Sequence, residues 1–351
     1  MENLLKKVSE NARITVEEAL SLKDASIFDF ARLAQARHRA MNLGNEVSYI
    51  VNRMINYSND CFAKCKFCAY HARAGVIEKF FLTDDEILEI AKRSEENGAV
   101  QIMLQGGLSK DVSLDWACSI LRKIKAQCPK MFLHVFSPSE IFVFARNANI
   151  GISECVRRLK EAGADSIPGA ADMLVEKIRK DVSPLKTSVE EWKSVICALK
   201  ENGMYSSATM TFGMGETFED RLEHLNLVRD IQDELGVFKA FIAWPLAPEN
   251  TRMSHIERVS APEFLKTIAL ARIFLDNINV VQSGWLTEGM KVAELAIMMG
   301  SNDMGGVLMD EMVVKSAGIQ NSTTALGMRK TIENAGKIPF ARDGFYKKLR
   351  Q

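Results

Sequence analysis

From residue 47 onward, short apolar runs alternate with segments whose apolar residues recur at helical spacing. The runs at 47–55, 100–104, 132–136, 166–167, 206–212, 238–242, 280–282 and 304–307 read as strands. Between them, the stretches 84–97, 113–127, 138–162, 171–180, 188–203, 218–235, 261–277 and 287–299 read as amphipathic helices, the third breaking near Gly151. Strand followed by helix, repeated, is the pattern of a parallel sheet closed by crossovers. Eight candidate strands suit an α/β fold of the (β/α)8 TIM-barrel type. The last two are short, so an open, six-stranded partial barrel stands as the alternative. Residues 1–46 carry Ala, Leu and charged residues at helical spacing and read as an N-terminal helical extension. Within it, Ser26-Ile27-Phe28-Asp29 has the spacing of a capping box. The barrel is expected over 47–310 and a C-terminal helical segment packing on it over 311–351.

Composition narrows the field of partners. With 351 residues and 47% hydrophobic positions, the chain can build one large core. Its formal charge of zero offers no electrostatic footprint for nucleic acid. The longest apolar stretches fall well short of the roughly 20 residues that span a bilayer. Met1-Glu2-Asn3-Leu4-Leu5-Lys6-Lys7 lacks the apolar core of a signal peptide, so the expected compartment is the reducing cytoplasm.

The chemistry concentrates in one octet. Cys61, Cys65 and Cys68 stand in Cys-x3-Cys-x2-Cys, three thiolates at a spacing that can hold three corners of a cubane iron–sulfur cluster. No fourth cysteine is nearby, which leaves one iron open. Cys118, Cys128, Cys155 and Cys197 are scattered and offer no second hook for zinc, although a zinc-stabilised scaffold or a non-catalytic iron–sulfur carrier remains the rival of another class. The octet follows the first strand, on a βα loop at the C-terminal mouth, where active sites of such barrels lie. Later strand ends supply further candidates. Gly106 and Gly107 after strand two permit close approach of backbone to a ligand. Ser137, Pro138 and Glu140 after strand three have the spacing of a capped helix start and also face the mouth. His134, on that strand, reads either as a satisfied core residue or as a catalyst. Gly213, Gly215 and Glu216 follow strand five, and Tyr70 is an aromatic two residues past the last cysteine.

The cysteine spacing, with an aromatic before the last cysteine, resembles the signature of the radical S-adenosylmethionine superfamily. Asn52-Arg53-Met54-Ile55-Asn56-Tyr57-Ser58-Asn59, Ser137-Pro138-Ser139-Glu140-Ile141 and Pro248-Glu249-Asn250-Thr251 are similar to its menaquinone and deazaflavin branch. Trp244 and the run Gln282-Ser283-Gly284-Trp285-Leu286-Thr287-Glu288-Gly289 resemble the futalosine-cyclising members of that branch more than the aminofutalosine- or deazaflavin-forming ones. The resemblance implies a [4Fe-4S] cluster on Cys61, Cys65 and Cys68, with S-adenosyl-L-methionine chelating the open iron. It implies contacts to that cofactor from Tyr70, Gly106, Gly107, Ser137, Glu140, Gly213 and Gly215. It also implies an electron donor such as flavodoxin or ferredoxin and a nucleoside-derived substrate bearing a benzoate. A carbon radical would close a ring on that benzoate, and the ring proton would need a base, for which His71 and Glu249 are the candidates and Glu288 and Asp303 weaker ones. The carboxylate needs a cation or fixed donors, with Arg53, Arg179 and Arg252 the candidates by type. Departures fall at strand ends: Gly169-Ala170-Ala171 replaces a glycine run, and Ala69-Tyr70-His71 replaces an aromatic pair.

Overall fold

Eight parallel strands close into a barrel in the computed structural model, which describes residues 1–349. The first staff of the barrel is a pair of collinear strands, β1 (Glu46–Ile50) and β2 (Asn52–Ser58), interrupted only at Val51. It is followed by β3 (Gln101–Gly106), β4 (Phe132–Val135), β5 (Ser166–Ile167), β6 (Tyr205–Phe212), β7 (Phe238–Pro245) and β8 (Val280–Val281). From β2 to β8 each strand pairs in parallel with the next. Closure is made by β9 (Asp303–Gly306). On one side Asp303 bridges Gln282 beyond β8. On the other side β9 pairs with β1, and Met309 bridges Arg53 of β2. The open six-stranded alternative is therefore excluded: the two short strands are present and complete the ring. The first strand runs longer than expected and ends at Ser58, which brings the cysteine loop directly onto its C-terminal end.

Local chemistry starts the crossover helices. Thr83, Ser188 and Thr217 each accept a hydrogen bond from the third residue of their helix, whose acidic side chain accepts one in return from the cap backbone. The N-terminal extension forms helices at Glu2–Ser9, Val16–Leu20 and Ile27–Ala40, the last opened by the expected Ser26–Asp29 box. It packs on the crossover helix Ala261–Phe274. Arg37 is buried at that seam and donates to the Ile273 and Ala12 carbonyls at 3.3 and 2.6 Å.

Two helices differ from the periodicity. The one expected at 171–180 begins at Glu176. Residues before it are tied to β6 as an irregular loop: the Ala171 N–H donates to Thr209 Oγ1 at 2.9 Å and the Thr211 N–H to the Asp172 carbonyl at 2.8 Å. Those bonds outcompete a helical turn, and Ala170 and Asp172 take positive φ there. The one expected at 287–299 divides into Trp285–Glu288 and Met290–Met298, because Gly289 sits at φ +81°.

The segment from 311, expected to be helical, carries helices Val313–Ser316 and Ala325–Asn334 and then a strand. This strand, β10 (Ile338–Ala341), pairs in parallel with β1 outside the barrel. Beyond it the chain turns under the barrel. Arg342 forms a buried ion pair with Asp303, and the Phe345 ring meets Phe132 and Tyr205 at 4.7 and 6.5 Å between centroids. A Cβ on Gly344 would lie 2.3 Å from the Phe132 ring, so only glycine passes there. The N-terminal mouth of the barrel is thus stoppered by the segment Arg342–Tyr346.

Candidate cluster and substrate site

The segment leading into the cysteines is a set of anchors. Asn52 Oδ1 accepts from the Leu308 N–H at 2.8 Å and Asn56 Oδ1 from the Met312 N–H at 3.2 Å, tying the first strand to the loop after β9. Asn59 spans the base of the cysteine loop: its amide donates to the Glu78 carbonyl at 2.8 Å and accepts from the Phe80 N–H at 2.9 Å. Asp60 accepts from Ser109 Oγ at 2.5 Å and pairs with Lys79 at 3.0 Å. The loop is thereby tied at both ends before any cofactor binds.

Cys61, Cys65 and Cys68 share one apolar patch with Ala63, Phe67, Leu108 and Val143. Burial pushes the Cys65 thiol up to about 12 and raises that of Cys68, so both stay protonated unless a strong cationic centre draws the proton off. Three soft donors in an apolar pocket, reachable from an open cavity, fit an iron–sulfur cluster. Among the described residues no three His, Cys, Asp or Glu side chains converge as a mononuclear metal site would require; in a cubane each thiolate takes a different iron.

The glycine pair belongs to the same construction. A Cβ at Gly107 would stand 2.1 Å from the Asp60 carbonyl oxygen and 2.8 Å from the Cys61 Cβ. At Gly106 it would stand 2.4 Å from the Tyr57 ring. Glycine is therefore needed for β3 to approach the cluster loop at all. Ser137 does cap the helix Pro138–Asn147, accepting from the Glu140 N–H at 3.2 Å. Glu140 departs from its expected half of the capping box. Its Oε1 instead accepts from Tyr57 Oη at 2.7 Å and from the Gly106 N–H at 3.2 Å. The carboxyl is buried, and burial pushes it up to about 7 against the lowering effect of those bonds.

A cavity of about 300 Å³ opens beside the cluster loop, inside the C-terminal half of the barrel. Phe67, Cys68 and Ala69 form its rim, and Met54, Met103, Trp244, Leu286 and Leu308 give it apolar walls. Ser207, Thr209 and Thr211 alternate along β6 and so face it together. Ser207 Oγ accepts from the Gly169 N–H at 3.1 Å and Thr209 Oγ1 from the Ala171 N–H, which leaves each hydroxyl proton to donate. Thr287 Oγ1 is buried at the wall with no partner. Two carboxylates complete the lining. Asp172 pairs with the half-buried Lys186 at 2.6 Å and lies 3.7 Å from Arg179. Glu311 accepts from the Val313 and Val314 N–H groups at 2.7 and 2.9 Å, and burial raises its pKa.

The remaining sequence candidates are distributed unevenly. Tyr70 is buried three residues past Phe67, edge-on to Phe80 at 6.1 Å, with its hydroxyl unpartnered. The aromatic on the cavity rim is Phe67. His71 is buried with neither ring nitrogen partnered, behind the rim and not on the cavity wall. Glu249 is exposed and paired with Arg258 at 2.6 Å, which removes it from the cavity. Asp303 lies at the other end of the barrel, on Arg342. Gly213 and Gly215 take φ +81° and +98° in a loop whose Gly213 and Met214 N–H groups donate to Glu216, and neither lines the cavity. His134 does line it, from the strand, with Nδ1 2.6 Å from Ser166 Oγ. Burial, then the charge of Arg342, lowers its pKa to about 3. Of the three arginines, Arg53 pairs with Asp310 at 2.6 Å, Arg179 donates to the Thr187 and Ala171 carbonyls, and Arg252 is exposed. Glu311 and the β6 hydroxyls were not singled out by the sequence, where the alternation of Ser and Thr along one strand face was the signal for the latter; Thr287 appeared there only as part of the Gln282–Gly289 run.

Comparison with known proteins adds to this geometry. Residues 55–228 match the radical SAM superfamily, and residues 236–351 match the CofH/MqnC C-terminal region. The cyclic dehypoxanthine futalosine synthase of Halalkalibacterium halodurans is 35% identical over 354 residues, covering 100% of this chain and 95% of the relative. That of Streptomyces coelicolor is 37% identical, covering 99% and 89%. A 5-amino-6-(D-ribitylamino)uracil–L-tyrosine 4-hydroxyphenyl transferase of Methanosarcina acetivorans is 35% identical over 99% of this chain and 94% of its own. Among solved structures, methylornithine synthase superposes with a TM-score of 0.76 at 18% identity, covering 96% of this chain and 97% of that one. The hydrogenase maturase HydG of Carboxydothermus hydrogenoformans superposes at 0.75 and 17%, covering 99% and 80%.

Proposed function

The chain belongs to the radical S-adenosylmethionine superfamily, in the branch defined by the CofH/MqnC C-terminal region, and on that premise we propose that it converts dehypoxanthine futalosine to cyclic dehypoxanthine futalosine. The observation that carries this reading is likeness over essentially the whole chain to two synthases of that product, at 35% and 37% identity. The Gln282–Gly289 turn supports it, since Leu286 and Thr287 of that turn stand on the cavity wall.

In this reading Cys61, Cys65 and Cys68 would hold a [4Fe-4S] cluster, with S-adenosyl-L-methionine bound beside it. Bound there, the pair would supply the 5′-deoxyadenosyl radical that the superfamily's chemistry uses. The chain's own work is to place and protect. The Gly106–Gly107 backbone, kept close to Cys61 by the Glu140–Tyr57 lock, presents peptide groups to the methionine end. Phe67 at the rim, with Tyr70 behind it, bounds the nucleoside. Met54, Met103, Trp244 and Leu308 exclude water from the reacting carbons, which a carbon radical requires. Glu311 is the carboxylate facing the cavity without a cationic partner on its wall, and its raised pKa suits it to take the ring proton. His71 lies one shell away, and the exposed Glu249 has no path to the substrate. A flavodoxin or ferredoxin would supply the electron. Among the described residues no helix is long and apolar enough to cross a membrane.

The second reading is hydroxyphenyl transfer, favoured by the 35% identity to the methanogen enzyme. Anaerobically reconstituted protein with dithionite and S-adenosylmethionine, offered each substrate in turn, separates the two. Deoxyadenosine release coupled to cyclised product is expected only with dehypoxanthine futalosine. Coupling to tyrosine and the ribitylamino-uracil instead would transfer the assignment. Zinc in place of iron and sulfide would end both.

A further inference from the structure

The proposed reaction leaves one requirement without a partner. The benzoate carboxylate needs donors, yet Arg53, Arg179 and Arg252 are spent elsewhere or exposed. On the upper cavity wall Asp172 already holds Lys186 at 2.6 Å and Arg179 at 3.7 Å, and Glu311 adds a second carboxyl, so among the described residues the wall itself presents no uncommitted Lys or Arg. An anion placed there would have to compete with Asp172 for Lys186 and Arg179 and would stand beside the Glu311 carboxyl.

The lumen continues below. A second chamber of about 70 Å³ lies between the cavity and the C-terminal stopper. The two share Met103, His134, Ser207, Ile242, Trp244 and Leu308, so they are adjoining parts of one column. The lower chamber is lined by Gln101, Lys239, Gln282 and Arg342. Arg342 is committed to Asp303. Lys239 is half-buried with its Nζ 3.9 Å from the Tyr205 ring centroid, and among the described residues it pairs with no carboxylate. Lys239 and Arg342 against Asp303 leave one positive charge in excess. The chamber is several-fold smaller than the cavity above it, about 70 against 300 Å³, which suits it to the carboxylate end of a substrate and leaves the nucleoside end to the larger space.

We propose that the lower chamber is the carboxylate subsite for an aryl carboxylate substrate, with Lys239 as its cation and Ser207 and Gln101 as neutral donors. This rests on the cyclase reading and fixes the substrate's direction. The aryl end enters the lumen first, its ring passes beside Trp244, and the nucleoside end remains at the Phe67–Cys68 rim. Ser207 suits the role because its acceptor side is taken by Gly169 and its proton is free to point down the column. The neutral imidazole of His134 borders both chambers and adds a polar edge without a competing negative charge.

The test uses reconstituted holoenzyme and two probes of equal shape, benzoate and benzamide, measured by titration calorimetry. Wild-type protein should bind benzoate about tenfold or more tightly, the range of one charge-assisted hydrogen bond. Lys239→Met should abolish the preference, and Lys239→Arg should keep it. If Lys239→Met fails to fold, Lys239→Gln decides in the same way. Equal binding of the two probes by wild type, or a preference that survives the loss of the ammonium, overturns the subsite. Turnover of dehypoxanthine futalosine is scored separately. A benzoate preference without that turnover sinks the cyclase and leaves the subsite; turnover with an unchanged preference in Lys239→Met sinks the subsite alone.

Discussion

Removing the cation from the Asp303–Arg342 pair should loosen the barrel floor, and the size of the effect follows from the contacts. Asp303 is fully buried and Arg342 is 3% exposed. One carboxylate oxygen accepts from Arg342 Nε at 2.5 Å and from Ser48 Oγ; the other accepts from Nη2 at 3.1 Å and the Gly305 N–H at 2.8 Å. Arg342→Met leaves that carboxylate buried with only a hydroxyl and one amide, a situation that costs about 3–5 kcal/mol. Loss of the guanidinium from the Tyr346 ring, 3.9 Å away, falls within the same figure. Against a typical total of about 5–15 kcal/mol, such a variant would be severely compromised. Asp303→Asn should be destabilised similarly, through the stranded arginine. The double variant, Arg342→Met with Asp303→Asn, should be more stable than the sum of the singles implies, because no unpaired charge remains. Equilibrium urea unfolding followed by tryptophan fluorescence measures all four proteins. Trypsin cleavage after Lys347 or Lys348 reports whether the stopper has left its seat. Single variants within about 1 kcal/mol of wild type, or a double variant that is strictly additive, would refute the reasoning.

Two further outcomes follow from the upper site. Glu140 has a folded-state pKa raised to about 7, so between its unfolded value and that figure the native state binds the proton more tightly and stability falls as pH rises. Glu140→Gln should therefore flatten the decline between roughly pH 5 and 7, a change of about 1–3 kcal/mol in relative stability, measured by urea midpoints across that range; an unchanged slope contradicts it. Gly107→Ala forces a carbon to within 2.1 Å of the Asp60 carbonyl, so the cysteine loop must shift. Iron incorporation on reconstitution should fall severely while the far-ultraviolet spectrum persists, and full iron content would show that the loop yields without cost.

Much of the barrel was legible because its signals are local. The β6 and β7 runs and the Phe218–Leu235 helix follow from side-chain periodicity and capping chemistry within a few residues. The cysteine loop was legible for the same reason: its spacing lies within eight residues of chain. Glu140 was misjudged because the sequence shows the cap residues beside it but not Tyr57, 83 positions earlier, which takes its carboxylate. Glu249 was placed near the chemistry by its strand end, yet the loop turns it outward to Arg258. The helix expected at 171 yields to backbone bonds with β6 that no local pattern announces.

By itself, then, the sequence determined the order of strands and helices, the three-thiol set and its station at the C-terminal mouth, because these depend on neighbours along the chain. Only the tertiary structure decided which polar groups meet. It put Arg342 under Asp303, Glu311 on the cavity wall and Lys239 in the lower lumen, and it sent Asp303 and Glu249 away from the site. The physical reason is that periodicity says which face of an element is buried, whereas the partner across the lumen is set by ring closure among strands that lie far apart in the chain.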